Sequence, residues 1–272
     1  MNCIFCKQIS DDSKSIEHIL PESLGNKQHI LNKGIVCDTC NNYFATKIEK
    51  VVLEKPYFKN VRYRNFITTK KDRLVPDKTL FPYKTGGWVD MWLDEKGFIF
   101  DPKDSHIIDQ IKDGTFNKII IPIIDHPEEK DYEVSRLLAK VALEFLTYRI
   151  VHDEEWIQEI INNTQLDPIR NHARYGTGGY WEYHQRRIYS EDDRFVDPIN
   201  HPEPYEILHE FDILYTDDMV MYFVMVIMGI EYAINLAGSE TDYYKKWLTD
   251  NNNISPIKRN TERIIKDKNA SR

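Results

Sequence analysis

The chain has 272 residues, enough for one large or two modest domains, and its 41% hydrophobic and 29% charged residues are typical of soluble globular proteins. A formal net charge of −8 argues against a protein whose whole surface binds nucleic acid. The apolar run 219–230 is much shorter than the roughly twenty residues of a bilayer span, and no signal-peptide pattern opens the chain. We therefore expect a cytoplasmic protein that has no membrane partner and whose thiols stay reduced.

All four cysteines lie within the first forty residues, as two Cys-x-x-Cys pairs: Cys3 with Cys6, and Cys37 with Cys40. Each pair can form a turn that aims two thiolates at one ion, and two such turns complete the tetrahedral site of a structural zinc. Disulfides, a redox dithiol and an iron–sulfur cluster are the alternatives. Disulfides are rare in cytoplasmic proteins, and a redox dithiol does not require a second Cys-x-x-Cys pair. Because a closed four-thiolate site has no open position for a substrate, any reaction must use other residues.

The segment between the two cysteine pairs contains residues suited to acid–base and metal chemistry. Glu17, His18 and Pro21 stand in the order acid-His-x-x-Pro, Asn32 lies five residues before the second pair, and Asn41 follows that pair directly. A neutral histidine can accept a proton from water near pH 7. Carboxylate and amide oxygens are suitable ligands for a hard cation such as Mg²⁺. This combination is unusual for a zinc ribbon that serves only in binding.

These features together resemble the HNH endonuclease family, in the subgroup whose motif lies between two Cys-x-x-Cys pairs. The resemblance covers residues 1–50 only. It implies a ββα-metal fold stapled by structural Zn²⁺, and hydrolysis of DNA phosphodiester bonds with Mg²⁺ or Mn²⁺ that leaves 5′-phosphate and 3′-hydroxyl ends. Small nucleases of this kind often act in bacterial restriction or anti-phage defence, a role that rests on analogy alone.

The resemblance assigns a role to each residue of the motif. His18 matches the general base, and Glu17 and Asn41 match ligands of the catalytic divalent ion. Asn32 matches the residue that braces the loop and orients the imidazole of His18. The role of Asn41 could also fall to the neighbouring Asn42.

The chain departs from the family pattern at two further points. Glu17 is longer than the Asp that is common beside the histidine, so the ion could be held differently or through water. Phe44 stands where many members have Lys, and Lys47 or Lys50 could supply that positive charge.

The implied ββα elements can be placed on the sequence. We predict His18 on the first strand, residues 34–37 as the second strand, and a helix from about Asn41 to Val52. Phe44, Ile48 and Val52 recur at helical spacing and would form its buried stripe. Asn41 would then lie near the helix N-terminus, where the helix dipole also favours an anionic phosphate.

Positive charge is concentrated directly after this region. Residues 1–50 have no net charge, residues 51–86 carry +6, and the remaining residues carry −14. The alternation of basic and apolar residues over 57–75 predicts an extended strand with one charged face. We expect this segment and the preceding helix to bind nucleic acid. A stretch of surface charges that only contacts solvent explains the pattern equally well. The predicted nucleic-acid-binding residues are Lys47, Arg62, Arg64, Lys70, Lys71 and Arg73.

The rest of the chain predicts a mixed α+β domain. Residues 87–101 predict a hairpin, 118–124 a strand, 206–237 two or three long strands, and 219–230 within them a buried strand. Helices are predicted at about 132–151, where apolar residues fall on one face, at 154–163 and at 240–250.

We therefore predict an α+β protein in two parts: an HNH module with a Cys₄ zinc site at residues 1–55, and an α+β domain of unknown fold at 56–272. The second part would select the substrate, dock a partner or mediate self-association. One HNH site cuts one strand at a time, so a homodimer or an activating partner protein could be involved. The alternatives are a non-catalytic zinc ribbon that binds nucleic acid or protein, and an HNH nuclease that acts on RNA.

Overall fold

A computed structural model describes residues 1–82, 87–94, 96–115, 118–197, 201–205, 208–259 and 264–266. They form a mixed α+β protein whose sheets are antiparallel. The chain divides into two compact units: residues 1–21, 26–52 and 129–272 form the first, and residues 22–25 and 53–128 form the second. The functional division at residue 55 stays a prediction. Within the described ranges, no helix has the length and apolar character needed to cross a bilayer.

The elements are numbered in chain order. The strands are β1 (Glu17–His18), β2 (Ile30–Leu31), β3 (Asp77–Leu80), β4 (Trp88–Asp94), β5 (Gly97–Asp101), β6 (Tyr183–Arg187), β7 (Arg194–Asp197), β8 (His201–Tyr205), β9 (His209–Tyr215), β10 (Met221–Ile227), β11 (Ile230–Asn235) and β12 (Ile264–Lys266). The α-helices are α1 (Asp38–Phe44), α2 (Lys50–Leu53), α3 (Pro56–Arg64), α4 (Ser105–Lys112), α5 (Tyr132–Tyr148), α6 (Glu154–Asn162), α7 (Asp167–Tyr175), α8 (Asp242–Asp250) and α9 (Pro256–Arg259).

The first unit opens with a short antiparallel hairpin of β1 and β2, in which His18 lies opposite Ile30. The predicted first strand is confirmed, but the prediction of the second strand at 34–37 is wrong. The chain turns there, because Gly34 has a φ of 90°, a conformation that favours glycine. The helix begins three residues before the predicted start, because the side chain of Cys37 accepts a hydrogen bond from the Cys40 N–H and caps α1. A π-helical turn at Ala45–Glu49 connects α1 to α2.

Helix α5 lies at the centre of the first unit. Its first turn is capped by Asp131, whose side chain accepts hydrogen bonds from the backbone N–H groups of Glu133 and Val134. Residues 137–145 are buried without interruption, so the helix is enclosed by other elements on nearly all sides. It contacts α7, the π-helical turn, β2 and β11. The helices predicted at 132–151, 154–163 and 240–250 are confirmed as α5, α6 and α8.

The main sheet of this unit has the strand order β6-β11-β10-β9. Strand β10 is buried on both faces, which explains its continuous apolar sequence. One face carries Phe223, whose ring lies 5.5 Å from that of Phe145 on α5. The other face carries Tyr222 and Val224, which pack in a core cluster with Trp247 of α8. The buried strand predicted within 219–230 is therefore confirmed.

The second unit contains α3, α4 and the sheet β3-β4-β5, with a core of Phe81, Val89 and Ile107. The predicted hairpin at 87–101 is confirmed as β4 and β5, although residue 95 lies outside the described residues. The predicted strand over 57–75 is wrong, because Pro56 begins the helix α3 and residues 65–75 form turns and loop. The predicted strand at 118–124 is reduced to a single bridge between Ile120 and Leu80.

Candidate functional site

The four cysteines come together in the first unit. Their sulfur atoms all lie within 4.8 Å of one another, and the Sγ atoms of Cys6 and Cys37 are 3.6 Å apart. Tetrahedral zinc with Zn–S bonds of about 2.3 Å requires sulfur–sulfur distances of roughly 3.8 Å. Both the donor set and the spacing fit a structural zinc ion, as predicted.

Backbone N–H groups also point at these sulfur atoms. Cys3 Sγ accepts a hydrogen bond from the Cys37 N–H, and Cys37 Sγ accepts one from the Cys40 N–H, each at 3.4 Å. A hydrogen bond with Cys40 lowers the pKa of the Cys3 thiol to about 5, whereas burial raises that of Cys6 to about 11. Because thiolates are the zinc ligands, zinc binding has to release the protons that the thiols still carry.

Helix α7 supports both cysteine pairs with arginines that the sequence analysis did not identify. Arg174 donates from Nε to Cys40 Sγ at 3.2 Å, and its guanidinium lies 3.9 Å from the ring centre of Tyr43. Arg170 is fully buried and donates from Nε to the carbonyl of Ile4 at 2.6 Å. Charged donors beside a thiolate ligand offset the negative charge of a Cys₄ zinc centre.

The half-buried His18 lies on β1, and Asn41 secures the start of that strand. The Asn41 amide donates from Nδ2 to the carbonyl of Ile16 at 3.1 Å. Asn41 is the fourth residue of α1, so it lies near the helix N-terminus as predicted, although the helix begins earlier than expected. The Nδ1 atom of His18 has no hydrogen-bond partner among the described residues. Helix α1 thus holds the start of β1, the strand that carries His18, through the side chain of Asn41.

Asn26 braces the loop between β1 and β2, and the loop-bracing role expected of Asn32 stays a prediction. The buried Asn26 donates from Nδ2 to the carbonyls of Leu20 at 2.9 Å and His29 at 3.0 Å, and its Oδ1 accepts from the N–H of His29. Asn32 is exposed, and its carbonyl accepts a hydrogen bond from the N–H of Ile35. The role of Asn32 in orienting His18 stays a prediction.

Glu17 lies beside His18 in sequence but has very different surroundings. It is 6% exposed, and its carboxylate forms an ion pair of 2.6 Å with Lys140 of α5. Lys140 also pairs with Glu49 at 2.8 Å and with Glu144 at 3.0 Å. Burial raises the pKa of Glu17, and Lys140 opposes that effect. Because successive side chains of a strand point to opposite faces, Glu17 faces the interior and His18 faces away from it.

The predicted nucleic-acid-binding residues differ in accessibility. Lys47, Lys70, Lys71 and Arg73 are exposed. Arg62 is only 4% exposed, and burial lowers the pKa of its guanidinium. A phosphate contact by Arg62 would therefore require rearrangement, and the binding role of all these residues stays a prediction.

Arg64, the remaining residue of this set, is partly buried. It donates from one terminal nitrogen to the carbonyl of Ile124 at 3.3 Å, within the second unit. This contact uses part of its hydrogen-bonding capacity for structure.

Comparison with protein-family models found one relevant match. Residues 3–56 match the model of the HNH endonuclease family. No curated protein and no solved structure gave a significant match. The N-terminal region is thus a family domain with a four-cysteine cluster, and the helices and antiparallel sheets that follow it have no assigned fold.

Proposed function

From the HNH endonuclease domain at residues 3–56, which implies nuclease activity, we propose that the protein is a metal-dependent endonuclease that hydrolyses phosphodiester bonds of DNA. The supporting observation is the arrangement around His18. The strand that carries this histidine is held to α1 by Asn41, and α1 begins at the cysteine cluster. The matched segment therefore contains His18 as a candidate general base, on a strand that a hydrogen bond ties to α1.

In the proposed reaction, His18 acts as the general base. Its imidazole takes a proton from a water molecule, and the water oxygen attacks phosphorus. The bond between phosphorus and the 3′-oxygen breaks, and this oxygen leaves with the electron pair and takes up a proton. The products are a 5′-phosphate and a 3′-hydroxyl end. General-base catalysis of this kind contributes about 10²–10⁴-fold in rate.

A divalent ion, Mg²⁺ or Mn²⁺, is inferred from the family and would neutralise charge on the phosphoryl group when bound. Asn41 fits a ligand role, because its Nδ2 is engaged with Ile16 while its carbonyl oxygen can still accept or ligate. Glu17 as placed fits less well, since its carboxylate is buried against Lys140 on the face of β1 opposite His18. Its ligand role stays a prediction, and no step above depends on it.

The test is cleavage by the purified full chain of plasmid DNA, linear DNA and RNA, with Mg²⁺, with Mn²⁺ and with EDTA. We expect His18→Ala to lose about 10²–10⁴-fold in rate while its fold and zinc content remain. His152→Ala is the matched control, because it removes an exposed histidine of the same unit. Equal cleavage by His18→Ala and the parent would refute the proposal. Cleavage of RNA alone would reassign the substrate.

The two asparagines separate metal binding from positioning. Asn41→Ala should reduce cleavage strongly, and added Mg²⁺ should restore part of it if the amide oxygen ligates the ion. Asn32→Ala should reduce cleavage through a misplaced His18, so added metal should have no effect. If added Mg²⁺ does not restore cleavage by Asn41→Ala, Asn41 contributes to cleavage through its hydrogen bond to Ile16 and not as a metal ligand.

We further propose roles for the parts outside the matched segment. The exposed basic residues Lys70, Lys71 and Arg73 would bind the phosphate backbone, and the remaining domain would select the substrate or bind a partner. Restriction or anti-phage defence is the cellular role proposed by analogy. Phage infection of cells that express the parent or His18→Ala tests this role, because only the active chain should reduce plaque formation.

A further inference from the structure

The ammonium group of Lys140 occupies the centre of a buried cage of five oxygen atoms. Lys140 is 0% exposed although it carries a full charge. Three of the oxygens belong to the carboxylates already described, at 2.6–3.0 Å from Nζ. The other two are backbone carbonyl oxygens, that of His18 on β1 at 3.1 Å and that of Ile19, which follows the strand, at 3.4 Å. One cation of α5 thus contacts both residues of β1 and the residue that follows it.

This arrangement is costly unless every group in it is satisfied. Burying an ammonium ion costs several kcal/mol, which only close and well-directed partners can offset. Surrounding carboxylates raise the pKa of Lys140 well above its usual value, so it stays charged. Burial raises the pKa of Glu144 well above its usual value, which favours its neutral form. The carboxyl groups of Glu17, Glu49 and Glu144 all lie within 3.0 Å of Nζ, and these contacts fix the position of the ammonium group.

We infer that Lys140 is a positioning residue of the nuclease site, which holds the backbone of His18 in register through its contacts with β1. The inference rests on the proposed nuclease function and adds to it a residue outside the matched segment. Glu17 has its role here as the counter-ion that keeps the ammonium against the strand.

The need for such an anchor follows from the size of the strand. Strand β1 has only two residues and pairs with an equally short β2, so few ladder hydrogen bonds hold it. Asn41 holds the residue before the strand, and Lys140 holds His18 and the residue after it. A catalytic group that moves by about 1 Å can lose about 10²-fold in rate. Loss of the anchor should therefore reduce kcat.

The experiment compares Lys140→Met with Arg186→Met in the full chain. Arg186 forms an ion pair of 2.6 Å with the buried Glu231 between β6 and β11, so its loss also uncovers a buried carboxylate in the same unit. We expect both variants to lose stability. Per folded, zinc-loaded molecule, kcat should fall about 10²-fold in Lys140→Met and remain at the parental value in Arg186→Met. The KM for DNA should stay within about twofold in both variants.

A second variant keeps the test decisive if Lys140→Met folds poorly. The double variant Lys140→Met/Glu49→Gln removes one of the carboxylate charges that lose their partner when Lys140 is replaced. It does not restore the contacts to β1. We expect its melting temperature to rise above that of the single variant while its kcat stays as low. If kcat instead recovers with stability, or if Lys140→Met cuts at the parental kcat, the positioning role is overturned.

Hydrogen exchange of the peptide spanning residues 15–31 gives a readout that does not need activity. Its backbone includes the hydrogen bond from the Ile19 N–H to the His29 carbonyl at 3.1 Å. We expect protection there to fall selectively in Lys140→Met, and not in Arg186→Met. Unchanged protection would overturn the inference even if the parent is active. If the parent cuts no nucleic acid but protection falls selectively, the anchor is supported and the nuclease proposal alone fails.

Discussion

Replacement of Arg174 by Met should weaken the zinc centre from a position far outside the cysteine motif. Arg174 donates to Cys40 Sγ at 3.2 Å, and Met keeps the length of the side chain while it removes the donor and the charge. Zinc binding turns Cys40 into a thiolate, so the guanidinium then donates to an anion, a stronger hydrogen bond than the one to the neutral thiol. The substitution therefore acts mainly on the zinc-bound state.

The size of the effect can be worked out from this contact. A hydrogen bond to a charged group contributes about 1.5–3 kcal/mol, and about 1.4 kcal/mol corresponds to tenfold in a binding constant. The zinc dissociation constant should thus rise about 10–100-fold, the range usual for residues that support metal ligands. Stacking of Arg174 on Tyr43, at 3.9 Å, acts with or without zinc and should appear in the stability of the metal-free chain instead.

The assay is competition for zinc with a chelating dye under reducing conditions, for the parent, Arg174→Met and a control. Arg149→Met is a suitable control, because Arg149 is 52% exposed and lies 4.0 Å from its partner Asp212. We expect Arg149→Met to bind zinc like the parent. A zinc affinity of Arg174→Met within about twofold of the parental value would show that the contact to Cys40 does not support the ligand, and the reasoning would fail.

Three further predictions test other parts of the molecule. Cys37→Ser should lower zinc content and destabilise the N-terminal region, and a full complement of one tightly bound zinc by metal analysis would contradict the Cys₄ site. Neutralising Lys70, Lys71 and Arg73 together should reduce the slope of log binding constant against log salt by up to about 2.7, and an unchanged slope would remove these residues from the interface. Burial lowers the pKa of His172 from 6.5 to about 4, so the unfolded chain takes up the proton first as pH falls. Unfolding free energy should therefore drop by about 3 kcal/mol between pH 6.5 and 4, and an equally steep drop in His172→Gln by denaturant titration would exclude this histidine as the cause.

The elements that could be predicted are those whose own residues indicate one structure throughout, by a cap or by a regular apolar pattern. Helix α5 has a capping Asp131 and a long apolar face, and β10 is a continuous apolar run that ends at the Met228–Gly229 turn. The wrong strand prediction around α3 rested on the short alternation Arg62-Tyr63-Arg64. Pro56 is favourable at the first position of a helix, and Tyr57 and Val61 are spaced by one helical turn, so the stronger signal was helical.

The residues of the candidate site that are close in sequence could be predicted, and those contributed by distant helices could not. The four cysteines and the motif around His18 are close in sequence, and their spacing indicates a shared site. Arg174 and Lys140 come from helices about a hundred residues downstream, and spacing cannot reveal such contacts. A signal for Lys140 did exist: it stands four residues before Glu144 in a helix that is apolar on nearly all sides, and charges in such a helix have to be paired inside the protein.

The contacts of the matched segment explain why it is not expected to work alone. Its carboxylate Glu17 would have no counter-charge without Lys140, and the carbonyl of Ile4 would lose the buried donor Arg170. A buried carboxylate without its cation costs about 3–5 kcal/mol, a large share of the stability of a small domain. The helices α5 and α7 therefore contribute to the zinc centre and to the strand of His18 directly. A shift of α5 would reach the backbone of His18 through Lys140, and a shift of α7 would reach the cysteine cluster through Arg174.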